Sequence, residues 1–159
     1  MEGLVQRYGW APMSVVRVSD KIAAPPEDVW AVISNPQNLP TWNRHIREVH
    51  DVPEHGLKEG TRYWTRVSFL GVSARVDAEV LEIDPPRFSS IRLTGPLDAT
   101  VRTWVQPDGT GRSILEHEVD YHLKGGPIGE VVARGLRTLG AQALLRRGTR
   151  AQKRQIESG

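Results

Sequence analysis

The feature that most constrains the fold is the last part of the chain. Behind Gly125-Gly126-Pro127 no proline interrupts the sequence from Ile128 to about Ile156, and apolar residues recur there at helical spacing. Such a segment makes a helix of about 40 Å. It follows a run of segments with strand-like alternation. A sheet with one apolar face has to be covered, and this helix is the only element long enough to do it. Its inward stripe is predicted as Ile128, Val131 or Val132, Leu136, Leu139 and Ala143, with Leu144 at the edge. Gly135, Gly140, Ala141 and Ala143 recur along it as small residues. They either let the helix approach the sheet closely or leave space between the two.

The preceding segments supply the sheet. Ser14 to Ile22 alternates and is valine-rich, as a strand should be. In "AAPPEDVWAVISNPQNLPTWN" a proline in the first turn and the acids Glu27 and Asp28 open a helix that Asn35-Pro36 ends. Leu39 to His45 reads as a second short helix. Strands are expected over Arg47–Val52, Tyr63–Leu70, Val72–Ile83, Phe88–Thr94, Thr100–Val105 and Ile114–Leu123. They are punctuated by Gly60, Gly71, Asp84-Pro85-Pro86 and the hairpin signal "PDGTG". The order is therefore β, α, α, about six antiparallel strands and one long helix. This is an α+β chain of about seven strands forming a single domain over residues 14–156. Residues 1–13 lie outside the periodic pattern and are expected to be an N-terminal extension, either an upstream start or a flexible arm.

Composition removes several classes of function. With no cysteine there is no disulfide, no thiolate nucleophile and no Cys-ligated zinc. No apolar run approaches a membrane span and no signal-like segment follows the start, so a cytoplasmic location is expected. His45, His50 and His55 recur every five residues, which suits neither helical nor strand spacing of a metal site. "GTG" falls in a hairpin and is no phosphate loop. The net charge of +2 hides an asymmetry, because Lys124 to Glu157 carries eight Lys or Arg against two Glu. This reads first as a solvated helix face and otherwise as a surface for an anionic partner. That helix is basic but has no aromatics, which argues against nucleic-acid binding. No metal, nucleotide or other cofactor is expected.

"IAAPPEDVWAVISNPQNLPTWN", "LKEGTRYWTRV", "VLEIDPPRFSSIRL" and "PDGTGRSILEHEVDY", with the long helix behind them, resemble the START-like superfamily. This superfamily, also called SRPBCC, includes the polyketide cyclases and dehydratases, and the likeness runs from Ser14 to about Lys153. The resemblance implies a helix-grip fold, in which a curved antiparallel sheet grips the terminal helix around an elongated ligand cavity. It implies the two short helices close one end. For function it is less specific, since the superfamily holds cyclases as well as lipid and hormone binders.

Strand parity sorts the residues that would face such a cavity. Tyr63, Thr65, Val67 and Phe69 form the more apolar set of their strand, leaving Arg62, Trp64, Arg66 and Ser68 outside. Val72, Ala74, Val76, Ala78 and Val80 are predicted inward, as are Leu115, His117, Val119, Tyr121 and Leu123. Thr100 to Val105 is ambiguous. Either Val101, Thr103 and Val105 point in, or Arg102 and Trp104 do. An inward guanidinium would point to an anionic or carbonyl-bearing ligand. Trp30 is expected in the core beneath the terminal helix and Trp42 at the cavity entrance. Leu136 would line the cavity from the helix.

His117, Tyr121 and Arg102 are the candidate catalytic residues. His117 would move a proton in an enolisation or dehydration while Tyr63 or Tyr121 bonds the enolate; the other reading makes it a satisfied core histidine. Aromatic polyketide cyclases of this fold are similar along the strand after Gly60. Where they present an inward serine and arginine, this chain has Val67 and Phe69. Trp64, Arg66 and Ser68 would replace that set only if the register slipped by one residue. The leading expectation is a binder of a hydrophobic, polyketide-like or polycyclic small molecule, with cyclisation or dehydration as the enzyme version. The alternative is a non-catalytic carrier or sensor of lipid-like ligands. A third reading makes the basic helix a docking face for an acidic carrier protein or an anionic membrane. The chain is expected to be a monomer or a homodimer.

Overall fold

In the computed structural model, which describes residues 14–159, seven strands form one antiparallel sheet in the order β1-β7-β6-β5-β4-β3-β2. The extension expected over residues 1–13 lies outside the described residues. The strands are β1 (Ser14–Ile22), β2 (Ile46–His50), β3 (Arg62–Phe69), β4 (Val72–Asp84), β5 (Phe88–Thr94), β6 (Leu97–Pro107) and β7 (Ser113–Leu123). Consecutive hairpins build β2 to β7, and β1 returns to pair along the whole of β7, from Ser14 opposite Tyr121 to Ile22 opposite Ser113. Register breaks at Ile46/Glu48 and at Val80/Glu82 add local twist and bend the sheet. The bend gives it a concave face.

Between β1 and β2 the chain forms α1 (Pro26–Ile33), a 3₁₀ turn (Pro36–Asn38) and the one-turn α2 (Leu39–Trp42). Asn35 caps the 3₁₀ turn through its side chain, accepting from Gln37 N at 3.1 Å. The second helix is shorter than Leu39 to His45 because Asn43 leaves helical geometry and its Oδ1 accepts from His45 N. One end of the structure is a packed core of Ile22, Val29, Trp30, Val105, Leu115 and Ile156. Trp30 is therefore under the terminal helix, where sequence spacing put it.

The C-terminal segment differs from a single uninterrupted helix. It consists of α3 (Pro127–Leu139) and α4 (Ala141–Ser158), separated by Gly140 at φ +82° and ψ 121°. Only glycine holds that conformation without strain. The break shifts the helical phase. Ala143, expected inward, is exposed, while Leu144, Leu145 and Gly148 turn toward the sheet. Leu139 is half-buried but does not reach the cavity wall. The two halves also cover different strands. α4 lies on β1 and against α1 and α2, and α3 reaches across to β3, β4 and β7. Among the described residues no helix is long and apolar enough to cross a membrane.

Gly135 sets how closely α3 lies on the sheet. A β-carbon there would come within 2.7 Å of Phe69 Cε1, inside any normal contact. In a free helix Gly→Ala gains about 1 kcal/mol, but here overpacking opposes it by about 1–3 kcal/mol. Gly135→Ala is therefore expected to lower the unfolding free energy measured in urea. In a Phe69→Leu background the same substitution should become neutral or stabilising.

Candidate ligand-binding cavity

The concave face keeps a space that the helices do not fill. Inward positions at its centre are small, among them Ala74, Ala78, Ala99 and Val101, so facing side chains cannot meet across it. The result is a cavity of about 460 Å³ between the sheet and α3–α4, within the usual range for small-molecule sites. Tyr63, Thr65, Val67 and Phe69 all line it, in the predicted parity of β3. Val72, Ala74, Val76 and Ala78 line it from β4, while Val80, on the same side, is buried.

The ambiguous strand is resolved toward its apolar parity. Val101 and Thr103 line the cavity and Val105 is in the core, which turns Arg102 and Trp104 onto the opposite, convex face. There Arg102 Nη1 donates to Glu118 Oε1 at 3.2 Å, and Arg17 binds the other carboxylate oxygen. Trp104 packs on Phe88 with ring centroids 5.5 Å apart. Neither Arg102 nor Trp104 can touch a ligand in the cavity. Their cross-strand partners Glu118 and Phe88 satisfy them on the outside. Trp64, Arg66 and Ser68 are also external. The Trp64 ring stacks on His50 at 4.2 Å, with the Arg75 guanidinium 4.3 Å from its centroid. Arg66 pairs with Glu48.

His117 does face inward and is 7% exposed. Its Nδ1 lies 2.8 Å from Thr103 Oγ1 and its Nε2 lies 2.7 Å from Gln152 Oε1. With the Gln152 carbonyl oxygen toward the ring, Nε2–H donates and Nδ1 accepts the Thr103 hydroxyl proton. Both ring nitrogens are thus occupied by neutral partners. Burial pushes the imidazolium pKa below its ordinary value, and the bond to Gln152 opposes this only in part. His117 is neutral at pH 7.

Tyr121 lines the cavity on the same strand four positions on, and Tyr63 faces it from β3. Burial alone raises the Tyr63 pKa to about 12, so its hydroxyl remains a hydrogen-bond donor at physiological pH. From the helices, Leu136 reaches the cavity wall on α3. Trp42 is 8% exposed, lines the wall, and donates from Nε1 to Gln155 Oε1 at 2.9 Å. Trp30 belongs to both the core cluster and the wall.

Sequence reasoning missed Gln152 and Thr149, buried polar residues on α4 that both line the cavity. The arginine-rich helix made them look like part of a solvated face. The available signal was the Thr149, Gln152, Ile156 spacing, a stripe that every arginine of α4 avoids. Among the described residues the cavity wall contains no Asp, Glu, Lys or Arg, and no three His, Asp or Glu side chains converge as metal ligands.

The buried His117 has a consequence for stability. The folded state binds fewer protons than the unfolded chain wherever the folded pKa is the lower one. Stability is therefore complete above the unfolded value of about 6.5 and is lost as pH falls toward the lowered folded value. Denaturant titrations across that acid range should show a shallower pH slope for His117→Asn than for the parent chain.

Solved structures share this architecture. A START superfamily protein from Mycobacterium smegmatis superimposes with a TM-score of 0.67 at 17% identity, over 92% of this chain and 99% of that one. The Zhui aromatase/cyclase from Streptomyces sp. R1128 gives 0.67 at 16% identity, over 93% and 99%. Norcoclaurine synthase from Thalictrum flavum gives 0.66 at 16% identity, over 93% and 96%. At these identities the likeness is one of fold, the START-like helix grip. No curated protein matches the sequence. The sequence profile described as "polyketide cyclase / dehydrase and lipid transport" matches residues 13–157, and the chain belongs to that family.

Proposed function

We propose that this protein binds a neutral, hydrophobic small molecule of polycyclic or polyketide-like shape in the cavity between its sheet and α3–α4. The observation that carries the reading is the absence of any charged side chain from the described cavity wall. An ionised carboxylate or ammonium placed inside would lose its hydration with no partner, at a cost of several kcal/mol. An uncharged apolar body loses nothing comparable and gains about 25 cal/mol for each Å² removed from water. Among the uncharged polar groups of the wall, Tyr63, Thr65 and Tyr121 suit carbonyl or hydroxyl substituents on such a body.

The arrangement favours holding over acid–base chemistry at His117. A ring with both nitrogens bonded to Thr103 and Gln152 has no free position for a substrate proton. Val67 and Phe69 leave β3 without the inward serine and arginine expected of aromatic cyclases. Cyclisation of a reactive chain in this cavity would rest on positioning alone. The carrier or sensor reading needs only the cavity, which makes it the simpler of the two.

Titration with pyrene, an uncharged polycycle, tests the site through its intrinsic fluorescence. Ala74→Phe should weaken pyrene binding at least about tenfold by filling the cavity. Tyr63→Phe should leave pyrene unchanged but weaken a polycyclic quinone by about 0.5–1.5 kcal/mol, the usual worth of one hydrogen bond. Undiminished pyrene binding by Ala74→Phe would place the ligand elsewhere. Loss of a measured cyclase activity on His117→Gln, with quinone binding intact, would contradict the holding role.

A further inference from the structure

Two sets of arginines differ in how they are paired. On the convex face of the sheet Arg17, Arg62, Arg66, Arg75 and Arg102 are each paired with a carboxylate. On the helical layer Arg134 and Arg137 of α3 and Arg146, Arg147, Arg150 and Arg154 of α4 are all exposed. Among the described residues none of these six has a carboxylate within ion-pair distance, although Lys153 between them has two. Both helices bury their other side against the sheet, so this charge faces away from it, toward solvent. Arg44, Arg47, Arg92 and Arg112 also lack a carboxylate partner among the described residues, but they are spread over separate strands and turns, whereas these six share one helical layer.

Of the three large exposed aliphatics, Val15 is on the outer parity of β1, and the other two lie beside the helical layer. Leu70, at 65% exposure, forms the tip of the β3–β4 hairpin with φ +50°. Its neighbours Phe69 and Val72 line the cavity, and Phe69 lies directly under Gly135 of α3, between Arg134 and Arg137 in sequence. Ile128, in the first turn of α3, is 44% exposed and also lines the cavity, so it marks a place where the cavity reaches the surface. Ile128 at the cavity rim, Leu70 at the hairpin tip and arginines with free guanidinium groups thus share α3 and the hairpin beneath it.

We infer that α3, the β3–β4 tip and the arginines of α4 form a docking surface for an anionic lipid bilayer. Guanidinium groups take phosphate oxygens in bidentate fashion, and each cation near an anionic leaflet adds to the attraction. Leu70 and Ile128 supply the apolar side chains that enter the headgroup boundary, which an acidic protein surface would not require. Helices without aromatics offer no stacking platform for nucleic-acid bases. The inference extends the ligand-binding reading and rests on it for its purpose, since a cavity rim held at a bilayer can exchange a water-insoluble ligand without exposing it.

Co-sedimentation with phosphatidylcholine vesicles, with and without phosphatidylglycerol, tests this surface directly. The full chain should sediment only with the phosphatidylglycerol-containing vesicles and should be released as ionic strength rises. Arg134→Glu with Arg137→Glu should lower the partition at least about tenfold, and Leu70→Asp should lower it separately. Pyrene titration of the same variants keeps the two claims apart, because charge reversal on the outer face should leave the cavity working. Equal sedimentation with neutral vesicles would overturn the inference. So would vesicle binding that survives charge reversal, or association with polyglutamate in the absence of any vesicle binding.

Discussion

A curved sheet with one apolar face must be covered, and here a broken helix covers it. α4 closes one end as a packed core, with Ile156 against Trp30, Val105 and Leu115. α3 crosses the other end at a height set by the contact of Gly135 with Phe69. Gly140 permits the two halves to take different courses. The space under α3 persists because alanine and valine occupy the facing strand positions, which cannot fill it. Cavity, wall and rim all follow from that division between a packed end and an open one.

Much of this was legible in the sequence, and the reason is periodicity. Alternation fixed the inward sets of β3, β4 and β7, because one buried face makes a register slip costly. The two prolines and two acids before Val29 marked the start of α1 in the same way. Where periodicity was silent, more than one outcome stood. β6 carries valine and threonine on one parity and arginine and tryptophan on the other, and its own residues do not choose. The choice lies with Glu118 and Phe88 on the neighbouring strands, partners that are remote in sequence. Gly140 fits both a small packing residue and a helix break, since glycine inside an apolar period suits either description. The His117–Gln152 bond spans 35 positions and leaves no local signature.

The polar network changes the meaning of the site. A histidine on an inward strand position invites a catalytic role. Its geometry here is that of a buried ring satisfied on both sides, whose neutral form the fold maintains. Other wall groups, the Tyr63, Tyr121 and Thr65 hydroxyls among them, keep capacity for a ligand. A neutral interior beneath a cationic exterior separates two kinds of recognition. On the proposed readings, shape and apolar area act inside the cavity, and charge acts on the helical layer outside it.

On the proposed function, the space beneath α3 receives an uncharged polycyclic molecule. A crystal structure of the chain with a bound polycyclic quinone tests it most directly. Density is expected between β3, β7 and α3, with a quinone oxygen within hydrogen-bond distance of the Tyr63 or Tyr121 hydroxyl and His117 still bonded to Thr103 and Gln152. Density confined to the outer surface, or a quinone bonded to His117 in place of Gln152, would contradict it.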